Sequence, residues 1–330
     1  MEKVKLGMLG VSTHYGLRMC VPVTKSKSVE PWALGSRSLV RAESAAKKWG
    51  FTRAYGSYQE VLEDPEVEAV YIPLPNDMHA EWIRRCADAG KAVLCEKPIA
   101  LSKKEAAEAL GYAEKKGVLA MEAFMYRFHP QWIRAKELVD IGEIGKIRAI
   151  HTVFAFNLED QQDIRNQKER GGGALYDIGC YAISSSRFLL GREPKRVISL
   201  IGRDEIGGTD VNSSAILDFG DIRALFTVST RMAGKQKVSV YGNVGNLAMT
   251  LPFNPFPDVP MELIVRNSIG LRRVFTKAAD QYGLMLDAFA RALREGTDAP
   301  TPPADAIANM AVIDAVYCSE SSGSWEQVKL

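Results

Sequence analysis

Two groups of residues in this chain have types and spacings suited to proton chemistry. The first is Glu96-Lys97-Pro98, which follows Gly90-Lys91 and the apolar run Ala92-Val93-Leu94-Cys95. That run reads as a short, buried parallel strand. Two charges at the end of such a strand are unusual, because an unpaired buried charge is costly. In open α/β sheets the carboxyl end of a strand is where ligands sit. Pro98 fixes φ and ends the ladder, so Lys97 is held at a turn. A partly desolvated lysine loses its charge readily and serves in proton transfer. A strand-end ion pair between Glu96 and Lys97 accounts for the local sequence equally well. The second group is Asp177 and Tyr181, four residues apart on a helix expected over residues 174–190, and so on one helix face. Gly179 between them removes bulk and leaves room for a close approach. A solvent-facing hydrogen-bonding pair is the plainer alternative.

The elements that position these residues come next. A length of 330 residues corresponds to two domains at roughly 150 residues each. The expected division is residues 1–124 and 125–330. With 46% hydrophobic and 25% charged residues, both parts can bury sizeable cores. The net charge of +2, with no long basic run, gives nucleic-acid binding no electrostatic footing. Cys20, Cys86, Cys95, Cys180 and Cys318 form no CxxC pair, as expected for reduced thiols of a cytoplasmic protein. His14, His79, His129 and His151 have no metal-ligand spacing, so no metal is expected. No apolar run approaches ~18 residues, and Met1-Glu2-Lys3 leads into a strand, which speaks against a membrane span or signal peptide.

Residues 4–10 read as a strand and residues 11–16 as a turn opening a helix. A dinucleotide fingerprint wants glycines at its first, third and sixth places. Gly10 fits the first, Ser12 takes the second, and Gly16 comes one residue late. The Ser12 hydroxyl is itself able to donate to a phosphate. The next strand, residues 31–35, ends at Ser36-Arg37, where the ribose-reading acid of an NAD site belongs. No acid stands there; serine and arginine suit a 2′-phosphate instead, which points to NADP(H), with NAD as the alternative. Helices are expected at residues 40–49 and 57–63, then a third strand at residues 69–72. Asn76 sits where a helix N-cap belongs. The functional reading places Asn76 and His79 over a cofactor ribose. A capping box at Ser102 and Glu105 starts a helix over residues 102–116, and the strand at residues 118–121 ends at Glu122. The expected cofactor contacts are therefore Gly10, Ser12, His14, Ser36, Arg37, Leu74, Asn76, His79, Glu96, Lys97 and Glu122. The strand–helix alternation is that of an α/β, doubly wound, Rossmann-like domain.

The second half is α+β. A helix is expected over residues 134–141 and a half-open strand over residues 147–156, with His151 on its surface. A polar loop at residues 157–170 carries Asn157 and Arg165 as possible substrate contacts. Beyond Gly191 the strands at residues 197–201, 213–217, 223–230, 237–241, 246–251 and 261–265 read as consecutive and mostly antiparallel. A proline-rich loop at residues 252–260 and helices at residues 279–295 and 304–322 complete the chain.

Three stretches carry a family resemblance: Gly90-Lys91 through Lys97-Pro98, Ala54-Tyr55-Gly56-Ser57-Tyr58, and Gly171-Gly172-Gly173-Ala174-Leu175-Tyr176-Asp177-Ile178-Gly179-Cys180-Tyr181. Together they resemble the glucose-fructose oxidoreductase/inositol dehydrogenase family, in particular its branch of dimeric dihydrodiol dehydrogenases and NADP-linked sugar dehydrogenases. The resemblance implies a Rossmann domain followed by a large, open, mostly antiparallel sheet. It implies a cis peptide before Pro98, and Lys97, Asp177 and Tyr181 acting on a substrate hydroxyl. Lys97, Phe154, Asn157, Asp177 and Tyr181 are then the expected substrate contacts. The implied activity is hydride exchange between NADP(H) and a secondary alcohol of a small sugar, polyol or trans-dihydrodiol. A homodimer or higher homo-oligomer through the second sheet is also expected. Many relatives have glycine where Ser12 stands and histidine where Tyr181 stands. A nucleotide-sensing protein without turnover, or a transient-redox epimerase or lyase, remains open on the sequence.

Overall fold

The computed structural model describes residues 2–330; Met1, and with it the start of the N-terminal reading, lies outside them. The chain forms two compact units, one running to Met125 and including Asp280–Ile307, the other Tyr126–Ala279 with Ala308–Leu330.

In the first unit the order is β1 (Val4–Leu9), a π-helical turn (Tyr15–Met19) running into α1 (Cys20–Lys25), β2 (Val29–Gly35), α2 (Leu39–Trp49), β3 (Arg53–Tyr55), α3 (Tyr58–Glu63), β4 (Ala69–Ile72), α4 (His79–Asp88), β5 (Ala92–Cys95), α5 (Lys103–Lys115) and β6 (Ala120–Glu122). The sheet runs β3-β2-β1-β4-β5-β6, and each adjacent pair is parallel. Every residue of β4 and of β5 is buried, as strands covered on both faces must be. Ser38, Ser57 and Ser102 each accept the amide three residues on and so start α2, α3 and α5. The strand order reverses between β1 and β4, the point where doubly wound sheets bind ligands. Residues 69–72 are thus the fourth strand, not the third; β3 is a short edge strand whose residues are at most half-buried.

The second unit begins with α6 (Pro130–Asp140) and β7 (Ile147–Asn157). A second π-helical turn (Leu175–Gly179) leads into α7 (Cys180–Leu190), followed by β8 (Arg196–Arg203), β9 (Asp210–Asp218), β10 (Arg223–Ser229), β11 (Arg231–Gly242), β12 (Gly245–Met249), β13 (Met261–Asn267) and β14 (Gly270–Thr276). α6 starts earlier than expected because His129 Nδ1 accepts the Gln131 amide and Pro130 occupies the first helical position. With β15 (Glu326–Gln327) the strands order β14-β13-β12-β11-β7-β10-β9-β8-β15. Among the described residues of this second sheet, only β7 and β10 pair in parallel. The register sorts the two faces. Val197, Ala215, Leu217, Ala224, Phe226, Ile150, Val238 and Val240 are buried, while Ile198, Leu200, Ile216, Leu225 and Val153 alternate with them and stay partly or fully exposed. His151 lies on that open face with its ring 5.0 Å from Tyr241.

The single boundary expected at residue 124 is therefore incomplete. α8 (Gln281–Glu295) and the first residues of α9 (Pro303–Ser322) return to the first unit. Contacts distant in sequence hold them there: Asp287 accepts from Ser26, and Arg294 pairs with Glu68 while donating to the Lys3 carbonyl. Among the described residues no helix is long and apolar enough to cross a membrane.

Candidate active site

The first unit collects its expected site residues at the carboxyl ends of its strands. Gly10 ends β1 with φ of +95°, a backbone that a residue with Cβ rarely adopts. A Cβ there would stand 3.1 Å from Leu74 Cδ2. Ser12 Oγ lies 3.4 Å from the Tyr15 amide at the start of the first helix. Ser36, buried, and Arg37, exposed, follow β2. A glycine in left-handed backbone, a helix start and a basic strand end fit the phosphates and ribose of a nicotinamide dinucleotide.

Glu96 and Lys97 follow β5, and the Lys97–Pro98 peptide is cis. The Glu96 carboxylate accepts the Tyr71 hydroxyl at 2.7 Å and lies 3.5 Å from His14 Nε2. Burial pushes its pKa up, but His14, Lys97 and the Tyr71 hydroxyl outweigh that and hold it well below the usual carboxylate range. Glu96 is thus an ionised acid beside Lys97, supported by a tyrosine that sequence reasoning passed over. Its signal was there: one phenol inside the otherwise apolar run of β4.

Two expected cofactor contacts have another placement. His79 is fully buried, with Nδ1 2.8 Å from the Pro98 carbonyl and Nε2 2.9 Å from the Leu74 carbonyl. Each ring nitrogen faces a backbone carbonyl, so the ring braces the loops after β4 and β5 rather than facing a ribose. Glu122 is also buried, and its Oε1 accepts the Ile99 amide at 2.8 Å, which fixes the chain just past Pro98. Asn76 begins a 3-10 turn, Asn76–Met78, that runs directly into α4, so the residue at the helix boundary is Met78.

The second unit gathers Phe154, Asp177 and Tyr181. Tyr181, the second residue of α7, is 5% exposed. Its ring centroid lies 5.8 Å from Phe154, 5.3 Å from Phe253 and 6.0 Å from Tyr126. Phe253 stacks on Phe154 at 5.0 Å. The chain before it is tied down, with Trp132 Nε1 donating to the Pro252 carbonyl at 2.6 Å. Phe154 thus serves as a wall for the Tyr181 ring. Asp177 does not simply share a regular helix face with Tyr181, because the π turn at Leu175–Gly179 breaks the α spacing. Its Oδ2 accepts from Arg165 Nε at 3.2 Å. Gly179 admits protein rather than ligand: a Cβ there would meet Leu175 Cδ1 at 2.7 Å and Val228 Cγ2 at 3.4 Å. Asn157 is exposed, and its Nδ2 donates to Glu159 at 3.0 Å.

Asp210 went unnoticed in the sequence. It is 1% exposed; Oδ2 accepts the Leu175 amide at 2.6 Å and Ser213 Oγ at 3.0 Å, and Oδ1 accepts the Tyr317 hydroxyl at 2.9 Å. It anchors the start of the helix that carries Tyr181. Among the described residues no group of His, Cys, Asp and Glu is arranged to hold a metal.

Residues 4–124 match the model of an oxidoreductase family with an NAD-binding Rossmann fold, and residues 132–248 match the GFO/IDH/MocA C-terminal domain. The chain belongs to the Gfo/Idh/MocA oxidoreductase family. It is 38% identical to an uncharacterized oxidoreductase of Rhizobium meliloti, over 99% of this chain and 100% of that one. It is 37% identical to an NADP-linked D-xylose 1-dehydrogenase of Haloferax volcanii, over 96% of this chain and 98% of that one. A 3-ketoreductase from Actinomadura kijaniata, solved with NADP and TDP-benzene, superposes with a TM-score of 0.92 at 29% identity, covering 96% of this chain and 98% of that chain. The family and its relatives make this chain a nicotinamide-dependent oxidoreductase.

Proposed function

We propose that this enzyme exchanges a hydride between NADP(H) and the secondary alcohol carbon of a small, polyhydroxylated substrate: a sugar, a polyol or a trans-dihydrodiol. The observation that carries the reading is the first unit's combination of Gly10 at the sheet's switch point with Lys97 at the end of β5. Residues proposed to hold the dinucleotide are Gly10, Ser12, His14, Ser36, Arg37, Leu74, Asn76 and Glu96. Ser36 and Arg37, with no acid beside them, favour NADP, in keeping with the NADP-linked xylose dehydrogenase relative. When bound, NADP supplies the hydride acceptor or donor.

The chain's own residues move the proton. On oxidation the alcohol C–H leaves as hydride, the O–H proton leaves to the protein, and C=O forms. Tyr181 is the proposed proton acceptor. A free tyrosine titrates at about pH 10, so it needs a nearby cation to work at neutral pH, and Lys97 is the proposed one. Lys97 also holds the substrate oxygen as its charge develops. Asp177 orients this machinery. The reading includes a cytoplasmic homodimer closed over the open face of the nine-stranded sheet, whose Leu200 is 82% exposed.

The test is a turnover screen with NADP+ against D-xylose, D-glucose, inositol and trans-dihydrodiols, followed by reduced-nicotinamide absorbance. Turnover of at least one is expected. No turnover, together with no NADP+ binding by calorimetry, overturns the proposal. Light scattering in solution tests the dimer.

A further inference from the structure

The loop between β7 and the π turn at Leu175–Gly179 is built around Arg165, which lies in a 3-10 turn at Ile164–Asn166. Its guanidinium reaches in two directions. Nε donates to Asp177 Oδ2 at 3.2 Å, and Nη1 donates to Asp163 Oδ1 at 3.2 Å and Oδ2 at 3.4 Å. Its amide donates to Asp163 Oδ1 at 2.9 Å. Its carbonyl accepts the Gly173 amide at 2.8 Å. The chain presses on that carbonyl so closely that a Cβ at Gly172 would stand 2.6 Å from it. One residue thus grips the helix start by its backbone and the acid of the first turn by its side chain.

The loop itself is fixed from below. Asn166, 2% exposed, donates to the carbonyls of Leu158 and Asp160. Arg231 donates to the Leu158 carbonyl and to Asn166 Oδ1. The guanidinium of Arg165 is therefore presented to Asp177 from a rigid support. Its Nε and Nη1 are thus both committed to carboxylates of the protein itself.

We propose that Arg165 is a positioning residue: it fixes the Asp177 carboxylate, and through it the turn that delivers Tyr181, without meeting the substrate. This rests on the reading of Asp177 and Tyr181 as parts of the reaction site.

The test compares Arg165→Met, Arg165→Lys and the same Met substitution in an Asp177→Asn background. Arg165→Met is expected to lower kcat by ~10- to 100-fold, the scale of a misplaced catalytic group, with the KM values for NADP+ and sugar little changed. Arg165→Lys is expected to recover most of that loss. In the Asp177→Asn background the Met substitution is expected to cost less than ~threefold, because the two residues act as a unit. Hydrogen–deuterium exchange of the peptide spanning residues 171–181, measured without substrate, is expected to quicken in Arg165→Met. A raised sugar KM with kcat intact makes Arg165 a substrate contact and overturns the proposal. Equal losses in both backgrounds, or no recovery by lysine, overturn it as well. If the unmodified enzyme turns over none of the sugars, the exchange measurement alone decides: faster exchange upholds the positioning of the turn, and unchanged exchange overturns it.

Discussion

His79→Phe removes both polar contacts of a fully buried ring while keeping an aromatic ring in its place. The two carbonyls it leaves behind belong to Leu74 and Pro98, at 2.9 and 2.8 Å from the ring nitrogens. A neutral imidazole carries one N–H, so at most one contact is a full hydrogen bond at neutral pH. Stranding a buried acceptor costs about 1–3 kcal/mol, and the larger phenyl ring adds some overpacking, so a loss of about 2–3 kcal/mol is expected. The pH dependence gives the sharper check. Burial lowers the His79 pKa, and the two carbonyl contacts only partly oppose it. Below about pH 6.5 the unfolded chain takes up a proton that the folded ring refuses, so stability falls as pH drops. His129, pushed down to about 4 by burial, adds to the same slope. Urea unfolding of wild type and His79→Phe at about pH 7.5 and about pH 5.5 separates the two: the variant starts lower but loses less on acidification. Since Pro98 directly follows Lys97, turnover is also expected to fall with the lysine intact. A variant as stable as wild type, with the same acid slope and the same kcat, refutes the bracing role.

Lys97→Met is expected to lower kcat at least ~100-fold, the scale of a general acid–base contribution, while NADP+ still binds by calorimetry. Near wild-type turnover in that variant removes Lys97 from the chemistry. Arg37→Asp is expected to move preference from NADP toward NAD, because it sets a carboxylate where the 2′-phosphate would lie; an unchanged ratio of kcat/KM values rejects the 2′-phosphate reading. Asp210→Ala strands the Leu175 amide and the Ser213 and Tyr317 hydroxyls in a buried place. It is expected to destabilise the protein by about 3 kcal/mol in urea unfolding, and a loss under ~0.5 kcal/mol sinks the anchoring argument.

The legible parts of the fold were those where one segment's own pattern decides. The apolar runs of β4 and β5, the serine caps of α2, α3 and α5, and the alternating strands β8 to β13 are of this kind. β3 has no apolar run to announce it. β14 is an edge strand with Leu271, Arg272 and Arg273 all exposed, so no burial pattern marks it. The return of residues 280–307 to the first unit depends on distant partners such as Glu68 and Ser26, which no local signal names. The site divides the same way. Lys97, Asp177 and Tyr181 stand in motifs of several residues and could be singled out. His79 was identified as a site residue but given the wrong partners, because its acceptors are backbone carbonyls five and nineteen residues away, and any sequence supplies carbonyls.

The late glycine of the fingerprint has a packing role in the first helix. Places one and six of the motif would put glycines at positions 10 and 15; this chain has Gly10 and Gly16. A π turn closes one residue later than an α turn, and the helix holds one at Tyr15–Met19. Gly16 then meets the packing demand: a Cβ there would stand 3.1 Å from the Trp49 ring of α2, a helix contact rather than the strand contact usual for that glycine. The displaced Tyr15 turns inward, its ring 5.0 Å from Trp49, 5.6 Å from Phe51 and 6.2 Å from Tyr71, and Tyr71 is the residue whose hydroxyl holds Glu96. The irregular fingerprint and the ionised acid beside Lys97 therefore share one packed aromatic group. A glycine at position 15 would leave the Trp49, Phe51 and Tyr71 rings without the one packed among them.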